Sequence, residues 1–254
     1  MKSNRWLFCI YFFFAASLTV SLIACGGGGA GNHNYLPITD DTIIKYNGTE
    51  VLEYAASMAT TVNDYTSGEY YGETDHVSLG LQDSNHNNLM KILTVTEHGD
   101  RTSIASRYFY NDSNDNIYLY LYETSGSFYP ANPVDNVAGI FYIPHRIIIG
   151  SSWGDPHSFL NGGDYYEGTI NFNVIGKEEI GVPFGAVETF KIAFSGEYES
   201  QVESTNRITV YGTIWIHPDI GVIKENETQE RNISGSLYTV RQDRQLATIN
   251  WVIN

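Results

Sequence analysis

The sequence predicts an all-β protein in which one curved, mainly antiparallel sheet forms a half-barrel or a barrel and helices are few and short. Apolar and polar residues alternate with a period of two through many short segments of the 254-residue chain. Turns rich in Asn, Asp and Gly separate these segments. The chain also contains 19 tyrosines, and aromatic side chains are favoured in strands. A sandwich of two sheets is the alternative to a barrel.

The chain begins with a segment typical of a lipoprotein signal peptide. Lys2 and Arg5 precede a mostly apolar run over residues 6–23, and Leu22-Ile23-Ala24-Cys25 has the form of a lipoprotein cleavage box. A transmembrane helix is the alternative, because the run is nearly long enough to cross a bilayer. Ser and Thr dilute its second half, however, and no basic cluster follows it. We therefore predict a signal peptide over 1–24, a glycine-rich tether over 25–34 and a single β domain over 35–254.

Cys25 is the residue on which membrane attachment depends. The segment around it resembles bacterial lipoprotein signals, and this resemblance implies a diacylglyceryl thioether on Cys25 and an acylated amino terminus, with palmitate as a typical acyl chain. The next residue is Gly26 rather than aspartate, which in such lipoproteins implies sorting to the outer membrane. Several acyl chains hold a protein to a bilayer far more firmly than one.

The exported chain has no thiol left for chemistry. The sequence has two cysteines. Cys9 is removed with the predicted signal peptide and Cys25 carries the predicted lipid, so no thiol is left for a disulfide, a metal site or a nucleophile. Removal of Lys2 and Arg5 leaves 12 basic against 29 acidic residues and takes the formal net charge from −15 to −17. Nucleic acids and bare anionic lipid surfaces are poor partners for such a chain.

Predicted strands occupy most of the mature chain. They cover residues 42–46, 77–81, 90–97, 104–110, 117–122, 169–174, 190–195, 208–216, 221–228, 237–241 and 246–253. Residues 51–58 fit a helix and a strand equally well. Turns are predicted at 83–88, 111–116 and 161–164, and at Pro183-Phe184-Gly185, where proline fixes φ and glycine frees it.

Several short motifs resemble those of a broad family of uncharacterised bacterial outer-membrane lipoproteins. They are Tyr35-Leu36-Pro37-Ile38 with Tyr46, Ile149-Gly150-Ser151-Ser152-Trp153, Val182-Pro183-Phe184-Gly185 and Trp215-Ile216-His217-Pro218. These are similar to the family patterns Y-x-P-L, G-x-x-W, V-P-x-G and W-x-x-P-x-x-G. The resemblance implies a curved antiparallel sheet, related in shape to periplasmic lipoprotein carriers, and it implies no activity.

One match to a catalytic motif occurs around Ser152. Gly150-Ser151-Ser152-Trp153-Gly154 fits the G-x-S-x-G pattern of a serine hydrolase. That motif needs a buried parallel strand before the serine and a helix after it. Here Asp155-Pro156 follows and the surrounding strands are predicted to be antiparallel, so we do not expect Ser152 to be a nucleophile. The sequence therefore predicts no enzyme activity.

A calcium loop is the strongest of the metal-site candidates. The segment from Asp112 to Asn116 resembles the first half of such a loop, and Glu123 stands at its twelfth position. Ile117 occupies the position that needs glycine, so a hairpin turn is favoured over a calcium site. The seven histidines show no zinc-binding spacing. Neither a metal nor a cofactor is predicted.

Two functions remain open, and both are binding functions. The favoured one is binding of an apolar ligand, such as an acyl chain, or of a partner protein on the concave face of the sheet; its predicted residues are Phe172, Phe190, Phe194, Trp215 and Trp153. The alternative is a surface adhesin or glycan-binding lipoprotein that uses tyrosine-rich strands. The alternative predicts an exposed aromatic strip over a filled interior, whereas the favoured function predicts a continuous cavity.

Overall fold

A computed structural model describes residues 43–55, 67–98, 101–124, 126–135, 137–161, 164–217 and 221–250. These residues form thirteen β-strands and no helix. The strands are β1 Ile43–Ala55, β2 Ser67–Leu81, β3 Leu89–His98, β4 Arg101–Asn111, β5 Ile117–Thr124, β6 Ser127–Pro130, β7 Ile140–Ile143, β8 Ser152–Asn161, β9 Asp164–Val182, β10 Gly185–Ser200, β11 Arg207–His217, β12 Gly221–Ile233 and β13 Ser236–Asn250. Within these ranges, a helix capable of crossing a membrane is absent. The predicted signal peptide, Cys25 and the tether lie outside the described residues.

All thirteen strands belong to one antiparallel sheet, which confirms the predicted fold class. The strand order is β6-β5-β4-β3-β2-β1-β13-β12-β11-β10-β9-β8, and β7 pairs with β5 beside this path. The pairing of β1 with β13 extends from Ile43 opposite Asn250 to Ala55 opposite Leu237. This pairing joins the strands from the first half of the chain to those from the second half.

The sheet curls until its two edges approach each other. Ser158 on β8 donates its backbone N–H to the carbonyl oxygen of Ala131, just after β6, at 2.9 Å. Trp153 on β8 donates its Nε1–H to the carbonyl oxygen of Tyr142 on β7 at 3.0 Å. The result is a curled half-barrel with one face turned inward.

Two glycines permit the backbone to approach neighbouring groups closely in this curl. A Cβ atom on Gly168 would lie 1.9 Å from the carbonyl oxygen of Glu197, and one on Gly212 would lie 2.1 Å from that of Asn226. Both distances are far shorter than any real contact, so only glycine fits.

Apolar side chains fill much of the inner face. The core includes Ile92, Phe109, Leu119, Tyr142, Ile170, Phe172, Ile192, Phe194, Ile208 and Ile214. A second, smaller cluster consists of Ile180, Trp215, Ile223 and Leu246. Since β9 lies four strands away from β13 in the sheet, this second cluster shows that the far part of the β9–β10 hairpin folds back over β12 and β13.

The observed strands differ from the predicted ones in extent at several places, and three of them were not predicted. Strand β1 continues without a break into the ambiguous segment 51–58, as far as Ala55. The segment predicted over 237–241 and residues 246–250 of the segment predicted over 246–253 belong to the single strand β13, and residues 251–253 lie outside the described residues. Strands β6, β7 and β8 were not predicted. In β8 the reason is that Gly154 and Pro156 interrupt the alternating pattern. The predicted turns at 83–88, 111–116 and Pro183-Phe184 are confirmed.

Candidate functional site

Five aromatic rings form a continuous row on the part of the sheet built from β4, β5, β7 and β8. The aromatic row consists of His86, Tyr110, Tyr118, Phe141 and Trp153, all of them half-buried. Successive ring centroids lie 4.2, 5.1, 5.5 and 6.3 Å apart. These separations are typical of aromatic pairs that pack against each other.

Strand pairing places the central rings of this row. Tyr110 on β4 is directly opposite Tyr118 on β5, and their rings are nearly parallel, with an interplanar angle of 10°. Tyr118 is in turn opposite Phe141 on β7. Side chains at directly opposed positions of antiparallel strands lie on the same face and interact.

The two ends of the row are held by hydrogen bonds. At one end His86 lies in the turn between β2 and β3, where Asp83 Oδ1 accepts the backbone N–H groups of Asn85 and His86 at 2.8 and 2.7 Å. At the other end the ring of Trp153 is fixed by its bond to Tyr142 and by stacking on Phe172 at 5.3 Å. The row is therefore preorganised rather than mobile.

Carboxylates flank the row. Burial, followed by the charges of Asp112 and Asp155, raises the pKa of the Tyr118 phenol. Burial also raises the pKa of Asp155, although its carboxylate accepts the Phe141 backbone N–H at 2.5 Å. Burial alone would raise the pKa of Asp112, but hydrogen bonds from Asn116 and Asn114 outweigh it and lower that pKa. Ring faces with carboxyl oxygens beside them suit a ligand that carries both C–H and O–H groups.

Phenol groups in the row keep their protons at neutral pH. Burial is the main reason that the pKa of Tyr110 rises to about 12, and its hydroxyl donates to the carbonyl oxygen of Ala138. Tyr120, beneath His86, accepts a bond from the amide of Asn85 at 3.0 Å. These groups supply fixed polar points beside the ring faces.

The inner face also contains a buried polar network that the sequence analysis did not predict. His157 on β8 bridges two tyrosines, with Nε2 2.7 Å from the hydroxyl of Tyr122 and Nδ1 2.8 Å from that of Tyr198. Burial lowers the pKa of His157 to about 3 and raises the pKa of both phenols. The neutral imidazole therefore donates to one tyrosine and accepts from the other.

Charged side chains extend this network across β12 and β13. Arg244 donates from Nε and Nη2 to Glu225 Oε2 at 3.0 and 2.6 Å, and both side chains are 2% exposed. Other members buried on the two strands are Glu227, Gln229, Arg231 and Gln242. Arg107 on β4 is buried as well and donates to Thr94 at 3.0 Å. Because buried charges need such partners, this part of the inner face is unsuited to an acyl chain.

The residues predicted to bind an apolar ligand divide between two places. Phe172 and Phe194 are 3% exposed members of the main core. Phe190 and Trp153 are partly buried and pack against that core. Trp215 lies in the second cluster, where its Nε1–H donates to Glu178 Oε2 at 2.9 Å. Thus four of the five predicted residues lie together, two within the main core and two packed against it, whereas Trp215 lies apart from them.

The structure also shows the surroundings of Ser152, from the hydrolase-like motif, and of the Asp112–Glu123 segment, from the calcium-loop candidate. Ser152 is exposed and begins the antiparallel strand β8, opposite Asn173 of β9, so the strand–turn–helix context of a hydrolase motif is not present there. Asp112 closes a turn, in which Oδ1 accepts the N–H groups of Asn114 and Asn116 at 2.8 and 2.9 Å. Glu123, near the other end of β5, instead binds Lys91 and Tyr108 at 2.9 and 2.6 Å.

Comparison with known proteins gives distant structural likenesses. No family model matches the sequence, and no curated protein matches it. A candidate lipoprotein from Parabacteroides distasonis has a TM-score of 0.46 at 14% identity, over 84% of this chain and 97% of its own. A candidate exported protein with a YmcC-like fold from Bacteroides fragilis has a TM-score of 0.36 at 12% identity, over 85% and 98%. An outer-membrane channel from Pseudomonas putida has a TM-score of 0.26 at 8% identity, over 87% and 100%. Likenesses this distant assign no function to the chain.

Proposed function

We propose that this protein is a lipid-anchored, non-catalytic binding protein of the bacterial outer membrane, and that the aromatic row binds a saccharide. The row of five adjoining, half-buried rings with carboxylates beside it is the observation that supports this proposal. A sugar ring presents C–H groups to an aromatic face and O–H groups to nearby acceptors. The formal net charge of −17 that remains after removal of Lys2 and Arg5 favours a neutral saccharide over an anionic one.

The buried charges on the inner face weigh against an acyl chain as the ligand. An apolar chain placed beside Glu225 and Arg244 would remove polar neighbours and supply no hydrogen bonds. The aromatic row requires no such loss, because its rings already border solvent.

Titration with neutral oligosaccharides tests the binding proposal. Maltohexaose and chitohexaose are the probes, and the readout is intrinsic tryptophan fluorescence, to which Trp153 in the row contributes together with Trp215 and Trp251. We expect Tyr118→Ala to weaken binding about tenfold or more, which corresponds to ~1.4 kcal/mol. The matched control is Tyr211→Ala, because Tyr211 is 41% exposed on β11 and lies outside the row. If an array of neutral glycans shows no binding that distinguishes the two variants, the saccharide proposal fails.

The lipid anchor has its own test. Cys25 within Leu22-Ile23-Ala24-Cys25 supports the anchor, and Gly26 supports sorting to the outer membrane. Metabolic labelling with radioactive palmitate should mark the wild-type protein and leave Cys25→Ala unmarked. Equal labelling of both would contradict the anchor.

A further inference from the structure

The strand that follows the tether begins at one defined end of the sheet. Ile43, the first residue of β1, is opposite His76 of β2 and Asn250 of β13. We call this the Ile43 end. The opposite end, where Ala55 of β1 faces Leu237, is the Ala55 end. Since the strands are antiparallel, the turns at 82–88, 112–116 and 183–184 all lie at the Ile43 end.

An exposed phenylalanine stands at the tip of the β9–β10 hairpin at the Ile43 end. Tight turns of this kind favour Asn, Asp and Gly, yet Phe184 occupies the turn and is 52% exposed. The tip is held close to β13, because Gln245 Nε2 donates to the carbonyl oxygen of Gly181 at 2.6 Å. Gln245 is in turn opposite Asn47 of β1, so Phe184 lies near the strand that the tether enters.

Three isoleucines add to the exposed apolar surface at this end. Ile148 and Ile149, in the connection before β8, are 56% and 55% exposed. The backbone N–H of Gly150 donates to the carbonyl oxygen of Val174 at 2.8 Å, which places this connection beside Ile175, itself 49% exposed. Exposed apolar side chains that lie together mark surfaces that meet a partner or a membrane. The Ala55 end exposes apolar side chains as well, namely Phe128, Val202 and Leu237, so the position of the anchor decides which end meets the bilayer.

The length of the chain between Cys25 and Ile43 limits the distance between the Ile43 end and the bilayer. Ile43 follows Cys25 by 18 residues, and a flexible chain of that length has a root-mean-square end-to-end distance of only about 21–25 Å. A strand of 13 residues, such as β1, is itself roughly 43 Å long. An anchor at Cys25 therefore holds the Ile43 end nearer to the bilayer than the Ala55 end.

We infer that the Ile43 end rests on the surface of the bilayer that holds Cys25, with Phe184, Ile148 and Ile149 entering the boundary between headgroups and acyl chains. This inference rests on the proposed lipid anchor. The occupant is a bilayer surface and not a soluble protein, since the chain from Cys25 enters the fold at the same end of the sheet as these side chains. The aromatic row begins in the turn 82–88 at the same end, so its saccharide would lie close to the membrane, where the sugars of glycolipids are found.

Fluorescence quenching by lipid measures this orientation. The lipidated mature chain has no free thiol, so one introduced cysteine can carry a nitrobenzoxadiazole probe. The test variant is Ile149→Cys, and the matched control is Val202→Cys, because Val202 is 81% exposed between β10 and β11 at the Ala55 end. The full chain, expressed with its signal and purified in lipidated form, is reconstituted into phosphatidylcholine vesicles containing lipid with a nitroxide near the headgroup.

We expect quenching at position 149 to exceed quenching at position 202 at least threefold, and Ile148→Cys to behave like Ile149→Cys. Far-UV circular dichroism checks that each variant is folded. Equal quenching at the two ends, or stronger quenching at 202, would overturn the orientation while leaving the anchor intact. If the wild-type protein fails to float with the vesicles, the lipid anchor itself is wrong and the orientation falls with it.

Discussion

At the scale of single residues, His157 connects burial to the pH dependence of stability. Burial lowers its folded pKa to about 3, compared with 6.5 for an exposed histidine. Between these values the unfolded chain binds a proton that the folded chain does not. The contribution of His157 is therefore complete above about pH 6.5 and is lost as the pH falls, by at most ~1.4 kcal/mol per pH unit.

Replacement of His157 by glutamine tests this relation. The amide keeps one donor and one acceptor for Tyr122 and Tyr198 but does not titrate. We expect the free energy of unfolding of His157→Gln to depend less steeply on pH between 6.5 and 4.5 than that of the wild type, as measured by urea unfolding at each pH. The same slope in both proteins would show that His157 does not govern this range.

The ion pair of Arg244 and Glu225 provides a second prediction at this scale. Loss of one partner leaves a buried charge uncompensated, so Arg244→Met should lower the free energy of unfolding by about 3–5 kcal/mol. The control is Arg207→Met, because Arg207 pairs with Glu199 at 2.8 Å with side chains 66% and 59% exposed, where a loss below about 1 kcal/mol is expected. Similar losses in both variants, measured by urea unfolding, would contradict the role of burial.

At the scale of strands, close backbone approach makes one glycine of β9 irreplaceable. A Cβ atom on Gly168 would overlap the Glu197 carbonyl oxygen and approach the Tyr198 ring to 2.8 Å, whereas one on Gly176 would meet nothing within 4 Å. We expect Gly168→Ala to destabilise the protein by about 3 kcal/mol and Gly176→Ala by less than about 1 kcal/mol. Thermal unfolding of the two variants distinguishes them, and equal melting temperatures would show that the sheet relaxes around the added methyl group.

Strands β11 and β12 show how much of the sheet could be predicted from the sequence. Ile208, Val210, Ile214 and Ile216 recur with a period of two in β11 and do face the core, so the strands and their apolar sides followed from periodicity. In β12 the same period of two gives Glu225, Glu227, Gln229 and Arg231, which are buried. Composition predicts that such side chains face solvent. Their burial depends on partners such as Arg244 on another strand, which no local pattern contains.

The aromatic row likewise depends on contacts between strands that local sequence patterns do not contain. The tyrosine clusters around Tyr110 and Tyr118 were visible in the sequence, but His86, Phe141 and Trp153 join them only through strand pairing and one turn. Trp215 was grouped with Phe172 and Phe194 by residue type. In β11 its neighbours Ile214 and Ile216 belong to the main core, so strand alternation places the indole in the other cluster.

At the scale of the whole molecule, the pairing of β1 with β13 makes the sheet one cooperative unit. Among the strands that the structure describes, β2 to β6 connect to β8 to β12 in the sheet only through this pair. The inner face is packed from both halves, as shown by the contact between Tyr142 on β7 and Phe172 on β9. Neither half can keep its apolar face buried without the other. We therefore expect a single unfolding transition.

Val240→Ala on β13 tests this cooperativity, because Val240 is 5% exposed on the strand between β1 and β12. Loss of the buried methyl groups should lower the free energy of unfolding by about 1–3 kcal/mol. Tryptophan fluorescence and far-UV circular dichroism should shift together in urea, because destabilising the central pair destabilises both halves equally. Two separate transitions, or a shift in one signal alone, would mean that the halves fold independently and that the β1–β13 pair is a contact between two units.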